Sequence, residues 1–315
     1  MLFLSSNVEP SSVDLPMSTP CEFEFETVTV GVMGQLVQRS RHVVQAYIQP
    51  LAEGVNLELV AVPGGSFRMG ASTSEEGCHP SQLPQHEVEI APFWISRYPI
   101  TQGQWAAVAT LPPVKRPLTL HPACFSGDYL PVEQISWFDA NEFCDRLSAL
   151  TGQSYHLPSE AEWEYACRAG TETPFCFGPT LTTDLANYSG MDWEYDGKVC
   201  SKGSYGKGPT GEDRRQTTAV GSFQVANRFG LFDMHGLVRE WCSDTWHDSY
   251  LGAPADGSAW ITDSASPERV VRGGSWNSGP NGCRSAFRSW FDPNATLYDI
   301  GFRVVCRQVA NLDAE

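Results

Sequence analysis

Arg272-Gly-Gly-Ser-Trp276, Cys283-Arg-Ser-Ala286 and Ile300-Gly-Phe-Arg303 punctuate the C-terminal part of the chain. Between them lie Ser278, Gly279, Gly282, Phe287, Ser289, Trp290, Phe291, Ala295, Thr296, Leu297, Tyr298 and Asp299. Glycines, aromatics, small polar residues and one acid follow each other without a helical or strand period. A core segment would repeat every 3.6 or 2 residues. A solvated loop rarely carries so many large aromatics. The run reads in two ways. It is a recognition surface on an anchored irregular segment, or a structural loop whose aromatics tuck under.

Composition narrows the rest. The chain has 315 residues, 41% of them hydrophobic, enough for a large core. Its 28 Gly, 22 Pro and 10 Trp indicate a turn-rich globular protein, not a helix bundle or coiled coil. A net charge of -16 repels phosphate backbones and argues against nucleic acid as a partner. No stretch approaches the ~20 apolar residues of a membrane span. Met1-Leu-Phe-Leu-Ser5 lacks the basic flank and apolar length of a leader, so the expected location is the cytoplasm. The ten cysteines form no CxxC pair and are expected to be free thiols.

Residues 1–20 are polar and rich in Pro and Ser, and predict a disordered tail. Residues 21–56 predict a β-hairpin extension, with Phe23, Phe25, Thr27 and Thr29 on one strand face and a turn at Gly31–Gly34. The hairpin could pack on the core or pair with another subunit through its edge. Strands are expected at Leu57–Val62, Phe67–Gly70, Glu87–Ile90, Phe93–Ile95 and Phe302–Cys306. Thr101 with Gln104, and Ser159 with Glu162, are capping boxes that open helices. Ser136–Leu150 carries an apolar face of Ala140, Phe143, Cys144 and Leu147. Residues 170–230 show almost no regular pattern, and so long a loop needs something to order it.

Several motifs occur in one order. They are Pro63-Gly-Gly-x-Phe-x-Met-Gly70, Pro99-Ile-Thr-Gln102, Leu157-Pro-Ser-Glu-Ala-Glu-Trp-Glu-Tyr-Ala166, Gly230-Leu-Phe-Asp-Met-His-Gly236, Glu240-Trp241, Arg272-Gly-Gly-Ser-Trp276 and Gly301-Phe-Arg303. Together they resemble the formylglycine-generating enzyme family, the sulfatase-modifying-factor domain, over residues 57–307. The resemblance implies an α+β, C-type-lectin-like fold, low in regular structure and ordered in part by calcium. It implies one calcium site at Asp233, Glu240 and the carbonyls of Gly236 and Val238. It implies a second at Asn187, Glu212 and the carbonyls of Tyr188 and Arg214. Such oxygen sets suit a hard cation.

Catalytic members of that family carry a cysteine pair, five residues apart, that binds copper(I) to oxidise a substrate cysteine. In this chain the second cysteine is Cys283, and Ser278 stands where the first would be. Copper(I) selects thiolates, and a serine hydroxyl is hard and protonated. Cys283 is therefore a vestigial catalytic candidate, and copper is not expected. The chain is also similar to the variable proteins of bacterial diversity-generating retroelements, in which adenines near the 3′ end of the gene are rewritten. Their unmutated sequence is rich in asparagine within the same framework. Ser278, Gly279, Gly282, Phe287, Ser289, Phe291, Ala295, Leu297, Tyr298 and Asp299 are each reachable from asparagine codons by changing adenines, and Trp290 and Thr296 from arginine codons. The resemblance thus implies a non-catalytic protein displaying a variable region, 272–303, to a protein or other macromolecular ligand. The alternatives are a copper oxidase acting on protein cysteine and a fixed adaptor module on the same fold.

Overall fold

A computed structural model describes residues 19–262 and 268–307. The expected tail lies outside them except for its last two residues. The hairpin forms as expected: β1 (Thr19–Val30) pairs antiparallel with β2 (Leu36–Ala52). Phe25 packs with Ala226 and Phe232. The opposite face is also covered toward the tip of β1, where Val28 and Val30 pack with Phe175 and Phe177. β2 continues as the partner of β3 (Val55–Val62). The outer edge of β1 is tied to loops: Val30 N–H donates to the Phe177 carbonyl at 2.8 Å, and Ala226 N–H to that of Glu26 at 2.9 Å. The hairpin thus packs on the core, and loops cover much of its edge.

A short ladder joins β4 (Gly65–Met69) to β5 (His86–Ile90), and β6 (Phe93–Ser96) follows. Among the described residues there are three α-helices, two of which start where their caps predict and one where the apolar face of 136–150 does. Thr101 opens α1 (Gln102–Ala109), and Ser136 opens α2 (Trp137–Thr151). After β7 (Tyr155–His156), Ser159 opens α3 (Glu160–Arg168). Each cap contributes about 1 kcal/mol by satisfying an orphan N–H. All residues of α3 are buried. β8 (Trp193–Tyr195) and β9 (Lys198–Ser201) form a separate two-stranded hairpin. A second sheet gathers β10 (Arg239–Thr245), β11 (Arg269–Arg272), β12 (Arg288–Phe291) and β13 (Ile300–Gly301) in the order β12-β11-β10-β13. β14 (Val305–Cys306) is shorter than the expected Phe302–Cys306 strand. It returns to the first sheet, whose order is β1-β2-β3-β6-β14-β7. Ile300–Cys306 therefore stitches the two sheets together. Between them, Trp105 stacks on Phe143 at 5.7 Å, and Phe302 meets Phe143 edge-on at 5.2 Å.

The C-terminal motifs and the run between them are fixed by buried arginines. Arg272 reaches Glu164 and the Ser285 carbonyl. Arg284 pairs with Glu75. Arg288 holds Glu160 through two bonds of 2.6 and 2.7 Å. Arg303 holds Glu240 through two of 2.6 and 2.8 Å. All four guanidinium side chains are buried. A buried charge survives only when paired and hydrogen-bonded, so each motif is locked to an acid on another element. Glu160 and Glu164 come from the Leu157–Ala166 motif, which explains two of the three buried acids of that helix; the third, Glu162, accepts from the Ser159 N–H in the cap.

Candidate binding surface

The twelve residues between the motifs divide by depth. Trp290, Thr296 and Tyr298 are exposed; Gly279, Gly282, Phe287, Ser289, Phe291, Ala295 and Leu297 are part-buried. Ser278 and Asp299 are buried, which corrects their reading as contact residues. Asp299 accepts from Ser275 Oγ at 2.9 Å and pairs with Arg239. Ser278 Oγ accepts from Ser275 N–H at 3.0 Å and from Arg239 Nη2 at 3.2 Å. The charge expected to face a ligand instead neutralises Arg239 beneath the surface. Arg239 in turn lies 5.7 Å from the Phe291 ring.

The aromatics do not form one flat patch. β12 is an edge strand, and successive side chains point to opposite faces of a sheet. Trp290 lies opposite Val270 and near Trp246, with ring centroids 6.5 Å apart. Phe291 points the other way and packs, with Leu297, against the core around Trp241 and Val271. Tyr298 sits 5.4 Å from Trp276, which meets Phe125 edge-on at 5.6 Å. Trp290 and Tyr298 each keep 44% of their surface exposed. Trp290 on the edge strand and Tyr298 in the loop after it are thus two exposed aromatics, with part-buried Phe291 between them in sequence. The loop bearing Phe125 is held by Glu133, whose Oε1 accepts from the Cys124 and Phe125 N–H groups at 2.6 and 3.0 Å.

Cys283 is fully buried, and burial pushes its thiol up to about 12. It is not a thiolate at neutral pH and has Ser278, not a second thiol, as its sequence partner. His235 lies against it: Nδ1 donates to the Cys283 carbonyl at 2.7 Å, and Nε2 accepts from the Cys176 N–H at 3.0 Å. This fixes a neutral imidazole, and burial lowers its pKa to about 4. The unfolded chain takes up that proton near pH 6.5. His235 therefore contributes fully above about pH 6.5, and its contribution is lost as pH falls toward 4. Asp233, raised by burial to about 6, and Asp244 and Glu133, raised by burial to about 7, act in the opposite sense. Their contributions are lost as pH rises through those values. Urea titrations at about pH 7 and about pH 4.5 should isolate the histidine. The stability gap between wild type and His235→Gln should shrink by about 2–3 kcal/mol at the lower pH. An unchanged gap would show a histidine that charges while folded.

The residues expected to hold calcium come together in part. Both Glu240 oxygens are engaged, by Arg303 and by Trp163 Nε1 at 2.7 Å. Asp233 accepts from the Gly221 N–H at 2.7 Å. In the second set, Glu212 is exposed and pairs with Arg214 at 2.8 Å. Asn187 Oδ1 is buried without a partner, which is the kind of atom a cation satisfies. Among the described residues no three His, Cys, Asp or Glu side chains gather as a metal cluster. Among the described residues no helix is long and apolar enough to cross a membrane.

Sequence reasoning missed the β8–β9 hairpin, which borders this surface. Its signal was present: Asp196-Gly197 separates two short strands, and both residues adopt positive φ (51° and 70°). That is the backbone of a two-residue turn between paired Tyr195 and Lys198.

A family model described as "Sulfatase-modifying factor enzyme 1-like domain" matches residues 44–308. The chaperone protein LppX of Paenibacillus barcinonensis is 29% identical over 286 residues, covering 80% of this chain and 90% of that protein. The formylglycine-generating enzyme of Thermomonospora curvata is 27% identical over 305 residues, covering 81% and 94%. Among solved structures, PvdO from Pseudomonas aeruginosa superposes with a TM-score of 0.67 at 34% identity, covering 83% of this chain and 98% of that one. Treponema denticola variable protein 1 superposes with a TM-score of 0.63 at 22% identity, covering 83% and 98%, a likeness of fold alone. The expected α+β, C-type-lectin-like architecture stands.

Proposed function

Because the chain belongs to the sulfatase-modifying factor enzyme 1-like domain family, we propose that it keeps the family's fold without its copper chemistry. It is a non-catalytic binding protein that displays the side chains of 279–298 to a protein ligand. One observation carries this reading. The motif arginines, and Arg288 within the run they enclose, are buried and paired, whereas Trp290 and Tyr298 of the same run are half exposed. Side chains on such a surface can change without disturbing the buried supports. Large aromatics there are the residue types that dominate binding energy. The part-buried Phe291 and Leu297 shape the surface from below.

The reading also rests on Ser278. A soft copper(I) ion takes thiolates, and at the two positions of the family's cysteine pair this chain has the Ser278 hydroxyl and one deeply buried thiol, Cys283. The test is direct. Full-length protein loaded with copper(I) is incubated in air with a cysteine-containing peptide. No aldehyde product is expected by mass spectrometry. Turnover to formylglycine would overturn the non-catalytic reading.

Calcium is proposed only as a structural ion, with the Asn187 side-chain oxygen as one ligand. An ion bound by the folded state alone raises stability with its concentration. Millimolar calcium should raise the melting temperature of chelator-dialysed protein by several degrees, and Asn187→Ala should remove most of that rise. An unchanged melting temperature would dismiss the ion.

A further inference from the structure

The β8–β9 hairpin exposes an unusual amount of apolar surface for its size. Trp193 is 58% and Tyr195 70% exposed, and Met191 before them and Val199 on the other face of the hairpin are exposed too. The two rings lie stacked, with centroids 6.4 Å apart and planes at 25°. A two-stranded hairpin is marginal in water by itself. Exposed aromatics clustered on one mark an interaction site more often than chance.

The hairpin's base is clamped rather than loose. Gly203 N–H donates to Asp192 Oδ1 at 2.8 Å, and Gly190 N–H to the Glu212 carbonyl at 3.0 Å. The clamp extends to the display segment: Ser189 N–H donates to the Ser278 carbonyl at 2.9 Å. Beyond Ser278, Asn277 Nδ2 reaches Tyr298 Oη at 3.4 Å. The hairpin, Ser278 and the Tyr298 anchor thus form one continuous edge. Gly279 is where the two parts touch. A Cβ at Gly279 would lie 2.4 Å from Ser201 Oγ and 2.8 Å from the Lys202 carbonyl. Backbone at 2.8 Å cannot rotate aside, so any larger residue at 279 must move the hairpin base.

We propose that the β8–β9 hairpin is a fixed arm of the recognition surface, and that Gly279 is the specificity-determining position that lets the arm close against it. This rests on the display reading above, and the occupant is the same protein ligand. Its chemistry follows from the face it meets. Directly opposed residues of an antiparallel pair share a face. Tyr195 opposes Lys198 and Trp193 opposes Ser201, so one face carries Trp193, Tyr195 and Lys198, while Glu194 points away. That face suits an apolar segment carrying a carboxylate. The aromatic pair supplies affinity common to all variants, and the residue at 279 decides whether a given variant uses it.

Two experiments on the full chain test this. In the first, a random dodecapeptide phage library is panned on the wild type. The wild type should enrich peptides that combine aromatic or aliphatic residues with Asp or Glu. Selected peptides should bind at least tenfold more weakly to Trp193→Ala/Tyr195→Ala and to Trp290→Ala/Tyr298→Ala alike. Both variants change exposed side chains and should melt near the wild-type temperature. In the second, hydrogen exchange is followed without ligand. Gly279→Asn should speed amide exchange across 193–201 several-fold and weaken the same peptides. Loss confined to the Trp290/Tyr298 variant would overturn the arm and leave the display reading standing. Loss confined to the hairpin variant would overturn the display reading and, with it, the shared surface. Unchanged exchange in Gly279→Asn, or no enriched peptide on the wild type, would also overturn the arm.

Discussion

Arg303→Leu is expected to destabilise the fold by about 3–5 kcal/mol. For a chain of this size that lowers the melting temperature by roughly 5–8 °C. The reason is the acid left behind. Arg303 makes two bonds to Glu240 and donates to the Ser96 and Phe232 carbonyls, each at 3.0 Å. It does so at the crossing between the two sheets, where Glu240 is also buried. Removing the guanidinium strands a charge and several carbonyls away from water. The double variant Arg303→Leu/Glu240→Leu removes the charge as well, and should be more stable than Arg303→Leu alone. Circular dichroism melts of the three proteins check this. If Arg303→Leu does not fold, recovery of folding in the double variant carries the same information. Equal stability of wild type and Arg303→Leu would show that the pair does not hold the sheets.

The second large effect is on binding, not stability. Trp290→Ala and Tyr298→Ala should each cost about 2 kcal/mol or more in affinity, roughly thirtyfold. The ligand for this measurement is a peptide selected on the wild type. The melting temperature should move by no more than a degree or two, since half-exposed side chains outside the core usually matter little to folding. The two variants also separate contact from packing. A fall of several degrees in either would mean that its aromatic supports the fold, through Trp246 for Trp290 or Trp276 for Tyr298. Asp299→Ala should behave in the opposite way. It removes the partner of Arg239 beneath the surface, and so should lower stability before it alters ligand preference.

What was legible in the sequence was local. Thr101 and Ser159 announced two helices because a cap needs only its next few residues, and the apolar face of 136–150 announced another. The first hairpin was legible from alternation and from its glycine-bracketed turn. The motif strings carried the fold class, but not the reason for their form. An arginine reads as a surface residue, and the acids that bury Arg284 and Arg303 lie 209 and 63 positions away. Asp299 misled for the same reason. An acid in an irregular run looks solvent-facing, yet its partner Arg239 is 60 residues distant. Trp290 and Phe291 were grouped because they adjoin, whereas a strand sends neighbours to opposite faces. The β8–β9 hairpin was overlooked although Asp196-Gly197 marked its turn. Its strands are too short to show a period.

The most direct test is deep sequencing of the 3′ end of this gene within one growing population. A displayed, diversified surface predicts substitutions confined to codons 278–299 and arising at adenines. They should be frequent at Trp290, Thr296 and Tyr298, while Arg272, Arg284, Arg288 and Arg303 stay constant. At Ser278 and Asp299, residues that can accept a hydrogen bond from Arg239 should dominate. A uniform sequence across the population would contradict diversification and leave a fixed binding module in its place.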